Sequence, residues 1–179
     1  MFTARHANPS DFNKIYTLYK VVAKAPIGIA RSPEEITAAH IKNFMADAAG
    51  TGIELVIDNP GNKEEIIAEI HCYKPGPKIF NHILSELTIA VHPDFQGQGL
   101  GKKIFTFLLE FVTSNRPDIL RVELFVQESN ERAIELYKKI GFIPEGRFQK
   151  RIPGKENMLE ADIPMAWFNP AYPVSSSLQ

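Results

Sequence analysis

Residues 86–111 read ELTIAVHPDFQGQGLGKKIFTFLLEF. Three glycines, Gly97, Gly99 and Gly101, alternate with other residues between a strand-like run and a helix-like run. Glycine weakens both kinds of element, so three at this spacing point to a close approach to the backbone. Leu87–Val91 alternates in β-prone residues, and Leu100, Ile104, Phe107, Leu108 and Phe111 follow helical spacing. The segment therefore predicts a strand, a tight turn and a helix packed by one face. The helix's first turn would present bare N–H groups and the positive end of its dipole, a place where a phosphate or pyrophosphate can sit.

The nucleotide-binding signatures do not fit. G-x-G-x-x-G fails because residue 102 is Lys102, and G-x-x-x-x-G-K-[ST] fails because Gly101-Lys102 is followed by Lys103. Q-x-x-G-x-G does fit, through Gln96, Gly99 and Gly101, and the run IAVHPDFQGQGLGKKI around it resembles the acyl-CoA-binding motif of the GNAT superfamily of N-acyltransferases. A second run, NERAIELYKKIGFIPEGR from Asn130 to Arg147, resembles that superfamily's N-x-x-A-x-x-x-Y-x-x-x-G-F signature. The matches cover roughly residues 87–167. The resemblance implies that Gln96, Gly97, Gln98, Gly99, Leu100, Gly101 and Lys102 hold the coenzyme A pyrophosphate. It also implies that the backbone of Ile89, Ala90 and Val91 pairs with the pantetheine arm. Lys102 and Lys103 would either meet the phosphates or stay solvated. No metal is expected, since the five histidines show no ligand spacing.

Acyl transfer to an amine needs a base for the ammonium, a donor for the oxyanion and an acid for the leaving thiolate. The resemblance makes Tyr137 the acid, since a phenol stays protonated at neutral pH; its alternative is a packing ring in the stripe Ala133, Leu136, Tyr137, Ile140. Asn130 reads both as the N-cap of its helix and as a contact to the cofactor arm. Glu86 is the first choice of base, with Glu123 on the next strand second. The Glu that the ribosomal N-terminal branch carries five residues before its Asn is here Phe125. His82 and His92 titrate near neutrality in principle, with His92 read as solvated. The resemblance implies that residues 24–36, KAPIGIARSPEEI, cover the acceptor, with Ile27, Gly28 and Ile29 as an apolar wall and Arg31 as a cation.

Walking outward, strands are predicted at residues 2–7, 53–58, 66–73, 83–91, 119–126, 142–151 and 158–167. Helices are predicted at 10–24, capped by Ser10 or Asp11; at 33–47, capped by Ser32 with Glu35 closing a capping box; at 99–113; and at 130–140. The order βααβββαβαββ gives a mixed α/β domain with a partly antiparallel sheet of about seven strands and about four helices, the fold that the resemblance implies. One domain is expected over residues 1–168, with a tail at 169–179.

The chain has 179 residues, 44% hydrophobic and 23% charged, with a formal net charge of -1. That balance is ordinary for a globular protein and lacks the excess cations of a nucleic-acid or anionic-membrane binder. Cys72 is the sole cysteine, so no internal disulfide can form. No apolar run is long enough for a membrane span and none near residue 1 has signal-peptide length. The expectation is a cytoplasmic acetyl-CoA-dependent N-acetyltransferase acting on a primary amine of a small molecule, amino acid or peptide by direct transfer, with a homodimer open. The alternatives are a catalytically silent acyl-CoA-binding or sensing module and a phosphate-binding domain for another nucleotide.

Overall fold

The computed structural model describes residues 2–25, 29–154 and 158–173. The elements in chain order are β1 (Ala4–His6), α1 (Phe12–Val22), α2 (Ala38–Thr51), β2 (Ile53–Asn59), β3 (Asn62–Tyr73), β4 (Ile83–Val91), α3 (Leu100–Asn115), β5 (Arg121–Gln127), α4 (Glu131–Lys139), β6 (Ile143–Pro144), β7 (Phe148–Pro153) and β8 (Leu159–Phe168). These are four helices and eight mostly antiparallel strands among the described residues, a mixed α/β architecture as the pattern predicts. The chain packs as two compact units, Met1–Tyr73 with Thr88–Leu108, and Lys74–Leu87 with Leu109–Gln179. Both β4 and α3 run from one unit into the other.

In the first unit β1, β2 and β3 pair antiparallel, with His6 opposite Leu55 and Glu54 opposite His71. The predicted stripe of α1 is buried as Ile15, Leu18, Tyr19 and Val22, with Phe12 half-buried. It packs with Ile36, Ile41, Phe44, Val56, Ile66 and Ala90 into one cluster. Each such large side chain contributes about 1.5–3 kcal/mol on burial. Residues 66–72 of β3 are buried without alternation, the mark of a strand covered on both faces, and Cys72 is fully buried among them. Arg5 ties this unit together, donating to Asp11 and to Asp58.

Two helix starts differ from the sequence reading. Asp11 occupies the N-cap position of α1, as one of the two predicted caps, but makes no side-chain cap bond there; the side-chain cap comes from Asn8, which accepts from Ser10 N–H at the head of a short 3-10 turn that leads into α1. Half of the box at residues 32–35 forms: the Ser32 N–H donates to Glu35 Oε2 at 2.7 Å, while the Glu35 N–H donates to Ser32 O at 3.1 Å. It closes one isolated turn, however, and α2 begins later, with Thr37 as its cap.

In the second unit β4 pairs parallel with β5 through Ile83↔Arg121 and Leu84↔Val122, and β5 pairs antiparallel with β8. The single predicted strand at 142–151 is two, β6 and β7, both pairing with β8. Leu84, Leu109, Val112, Ile119, Val122, Leu124, Val126, Phe142, Ala161, Met165 and Ala166 are buried. Asn169, at the head of the predicted tail, is buried too; its side chain donates to Ile119 O at 2.9 Å and its N–H to Leu120 O at 2.8 Å. Residues 174–179 lie outside the described residues.

Candidate active site

The first unit carries the glycine turn. Val91 ends β4, and the 3-10 turn Pro93–Phe95 follows. Gln96 Nε2 donates to Val91 O at 3.1 Å, so the Gln of the motif ties the turn back to the strand end. Gln98 Nε2 donates to Asp94 O at 3.2 Å and adds a second tie. Gly97 and Gly99 have φ of +78° and +79°, the left-handed region that L side chains enter at a cost of roughly 1–2 kcal/mol. A Cβ built on either would meet nothing within 4 Å, so their surroundings are open. The first bond of α3 runs from Lys103 N–H to Gly99 O at 3.0 Å. The N–H groups of Leu100, Gly101 and Lys102 thus precede the helical ladder and face outward along the axis. Leu100 anchors the turn with a buried side chain, Lys102 is exposed and Lys103 half-buried. Ala90 is buried in the core cluster, with Ile89 and Val91 half-buried beside it. The turn thus brings together two left-handed glycines with open space around them and the unbonded amides of a helix start.

His92 differs from its solvated reading. Its ring is half-buried, accepts from Asp94 N–H at Nδ1 and stands edge-on to Phe95. It is a bracket for the turn. Arg31 is exposed, and Ile27 and Gly28 of the predicted acceptor wall lie outside the described residues.

The second unit carries the acid and base candidates. Tyr137 sits on α4, its ring 6.0 Å from Phe142. Burial pushes its phenol up to about 12, so the hydroxyl keeps its proton throughout the neutral range. Asn130 caps α4, accepting from Ala133 N–H at 3.2 Å. Gly141, with φ +100°, ends that helix. Glu86 is exposed on β4 and has φ +53°. That backbone state is uncommon for a residue with a side chain, and such strain concentrates at functional positions. Glu123 is ion-paired, since Arg121 Nη2 lies 3.0 Å from its Oε2 and also binds Glu145. His82 is half-buried, and its carbonyl accepts from Leu120 N–H at 2.8 Å.

One cluster in the first unit was not legible beforehand. Tyr19 Oη donates to Glu69 Oε2 at 2.6 Å, and His71 Nδ1 lies 3.0 Å from Glu69 Oε1. Phe44 stacks on His71 with centroids 4.0 Å apart. Glu54, 8% exposed, has an Oε1 with no hydrogen-bond partner. Burial, aided by the charges of Glu69 and Asp11, pushes its carboxyl up to about 8. The register puts the three side chains on one face of the β2–β3 pair, with Glu54 opposite His71 and Val56 opposite Glu69. Among the described residues no group of three or more His, Cys, Asp or Glu is placed to hold a metal ion.

The profile of the acetyltransferase (GNAT) family matches residues 15–142, which spans the glycine turn, Asn130 and Tyr137. The chain belongs to the GNAT family. Among curated relatives of this GNAT chain, the catalytic subunit NAA20 of the N-terminal acetyltransferase B complex of Arabidopsis thaliana is 29% identical over 98 residues, covering 48% of the chain and 56% of that protein. The spermidine N(1)-acetyltransferase of Escherichia coli K12 is 33% identical over 67 residues, covering 36% and 34%. The chain thus matches about half the length of the first and a third of the second. Among solved structures, yncA of Salmonella typhimurium with its cofactor acetyl-CoA superposes with a TM-score of 0.80 at 16% identity, over 99% of both chains. A GNAT acetyltransferase of Streptococcus pneumoniae gives 0.75 at 20%, over 94% of this chain and 99% of that one. At such identities the likeness shows the GNAT fold.

Proposed function

We infer that the chain is an acetyl-CoA-dependent N-acetyltransferase that acts on a primary amine of a small molecule, amino acid or peptide by direct transfer in a ternary complex. The observation that carries this is the open left-handed turn at Gly97 and Gly99, set at the start of α3 inside the family match. The amides of Leu100, Gly101 and Lys102 bind the pyrophosphate, and the absent side chains at 97 and 99 let it approach. The backbone of Ile89, Ala90 and Val91 orients the pantetheine arm, and Asn130 is a second contact to it. Acetyl-CoA supplies an activated thioester carbonyl. Tyr137 holds a proton at its Oη for the departing sulfur, and desolvation keeps that proton in place. Glu86 takes the amine proton on its exposed carboxylate, directly or through water. The expected compartment is the cytoplasm.

The test joins binding to turnover. Calorimetry should show coenzyme A binding that ATP and NAD do not compete for, and mass spectrometry should find an acetylated product in a panel of amines. Coenzyme A binding with no product on any amine would favour a silent acyl-CoA-binding or sensing module, and competition by ATP or NAD a different nucleotide site.

A further inference from the structure

Within the second unit, Arg151 of β7 places its guanidinium 4.7 Å from the ring centre of Phe125 on β5 and 4.8 Å from that of Phe148 on β7. The two rings lie 5.9 Å apart, and they are 47% and 44% exposed, unusually open for phenylalanine. Asp162 of β8, directly opposite Phe148 in register, is 8% exposed. Its ion-pair partner, Arg151, stands at 3.6 Å, outside hydrogen-bonding distance. The chain departs from a regular strand where it delivers this cation. Phe148 pairs with Asp162 and Ile152 with Glu160, so three residues, Gln149–Arg151, oppose the single Ala161. Lys150 in that bulge has φ +55°. Bulges re-aim side chains, and a left-handed lysine persists only where its surroundings impose it.

Two ring faces and a buried carboxylate make a receptor for a cation. Here the receptor is filled loosely, by a side chain that is itself 46% exposed. We propose that Phe125, Phe148 and Asp162 form a binding site for a guanidinium or ammonium group carried by the acceptor, at a distance from its reacting amine, and that Arg151 is the chain's own stand-in, displaced when that group arrives. The acceptor class is then an amine with a second, distal cation. This rests on the N-acetyltransferase reading for the word acceptor, whereas the cation site itself does not.

Calorimetry on the full chain without acetyl-CoA tests it. The probes are agmatine, with an amine and a distal guanidinium, and butylurea, which has a similar shape and no charge. Arg151→Ala should bind agmatine roughly tenfold more tightly than wild type, since the competing cation over two exposed rings is gone. Arg151→Lys should restore the weaker affinity, and butylurea should not change between variants. Asp162→Asn and Phe148→Leu should weaken agmatine in the Arg151→Ala background. Perturbation of the Phe125 and Phe148 ring resonances by agmatine locates the event, and thermal unfolding confirms that each variant folds. If Arg151→Ala destabilises the chain, Arg151→Gln, which keeps the stem, takes its place. Unchanged or weaker agmatine binding in the charge-free variant, an equal gain for butylurea, or no binding in either form overturns the site. Failure of coenzyme A to bind overturns the enzyme reading alone.

Discussion

At the scale of single residues, Tyr137 carries the sharpest expectation. Tyr137→Phe keeps the ring against Phe142 and removes only the hydroxyl. Turnover should fall by roughly 10²–10⁴-fold with coenzyme A affinity and melting temperature preserved. A loss of stability together with activity would make the hydroxyl a core group. Glu86→Gln should lower turnover by a similar roughly 10²–10⁴-fold factor and flatten the acidic limb of the pH profile; full activity would move the role to Glu123, to a water chain or to an amine already neutral in solution. The two candidates show what a sequence can and cannot reveal about a site. Gly97 and Gly99 are legible because a left-handed backbone favours that residue type, and Gln96 because its side chain ties the turn back to Val91. That Arg121 is shared between Glu123 and Glu145 was not, because Glu145 lies on another segment and only the folded chain brings the charges together.

At the scale of elements, the β4–α3 turn separates two roles of its glycines. Gly99→Val brings both a strained backbone and a filled cradle, whereas Gly99→Asn brings mainly the second, because asparagine tolerates the left-handed region. Both variants should lose coenzyme A binding in calorimetry, while Gly99→Asn should stay closer to wild type in melting temperature. Retained binding in Gly99→Asn would mean that conformation alone was required there and would remove the cradle. Elements with a clean period, such as α1, β4 and α3, were read nearly to their ends from the sequence. The misplaced start of α2 and the fusion of β6 with β7 share a cause. In each, a local signal was genuine but had a smaller meaning than assumed: the Ser32–Glu35 contact closes one turn, and the β-prone run after Phe142 is broken by a change of partner position on β8. Neither event leaves a mark in residue periodicity.

At the scale of the whole molecule, buried carboxylates shape stability in opposite directions. Glu54 has its folded pKa raised from 4.5 to about 8, so between those values the folded chain holds a proton that the unfolded chain has lost. Its effect is full stability below about pH 4.5 and a decline as pH rises towards 8, on the order of a few kcal/mol. Glu54→Gln should abolish that decline in denaturant titrations across the same window; an unchanged slope would assign it to other groups. Asp11 works the other way. Its burial opposes ionisation, but hydrogen bonds from Arg5 prevail and hold the carboxyl below its ordinary range. Stability from that pair is present above pH 4 or so and is lost as pH falls through the depressed value. Arg5→Met should therefore cost most near neutrality and least in acid. Cys72 has a more practical consequence. Because the only thiol in the chain is sealed inside β3, an aromatic disulfide dye added to the native protein would colour only with sulfhydryl released from a spent acyl donor, so continuous spectrophotometry of turnover would need no protein blank.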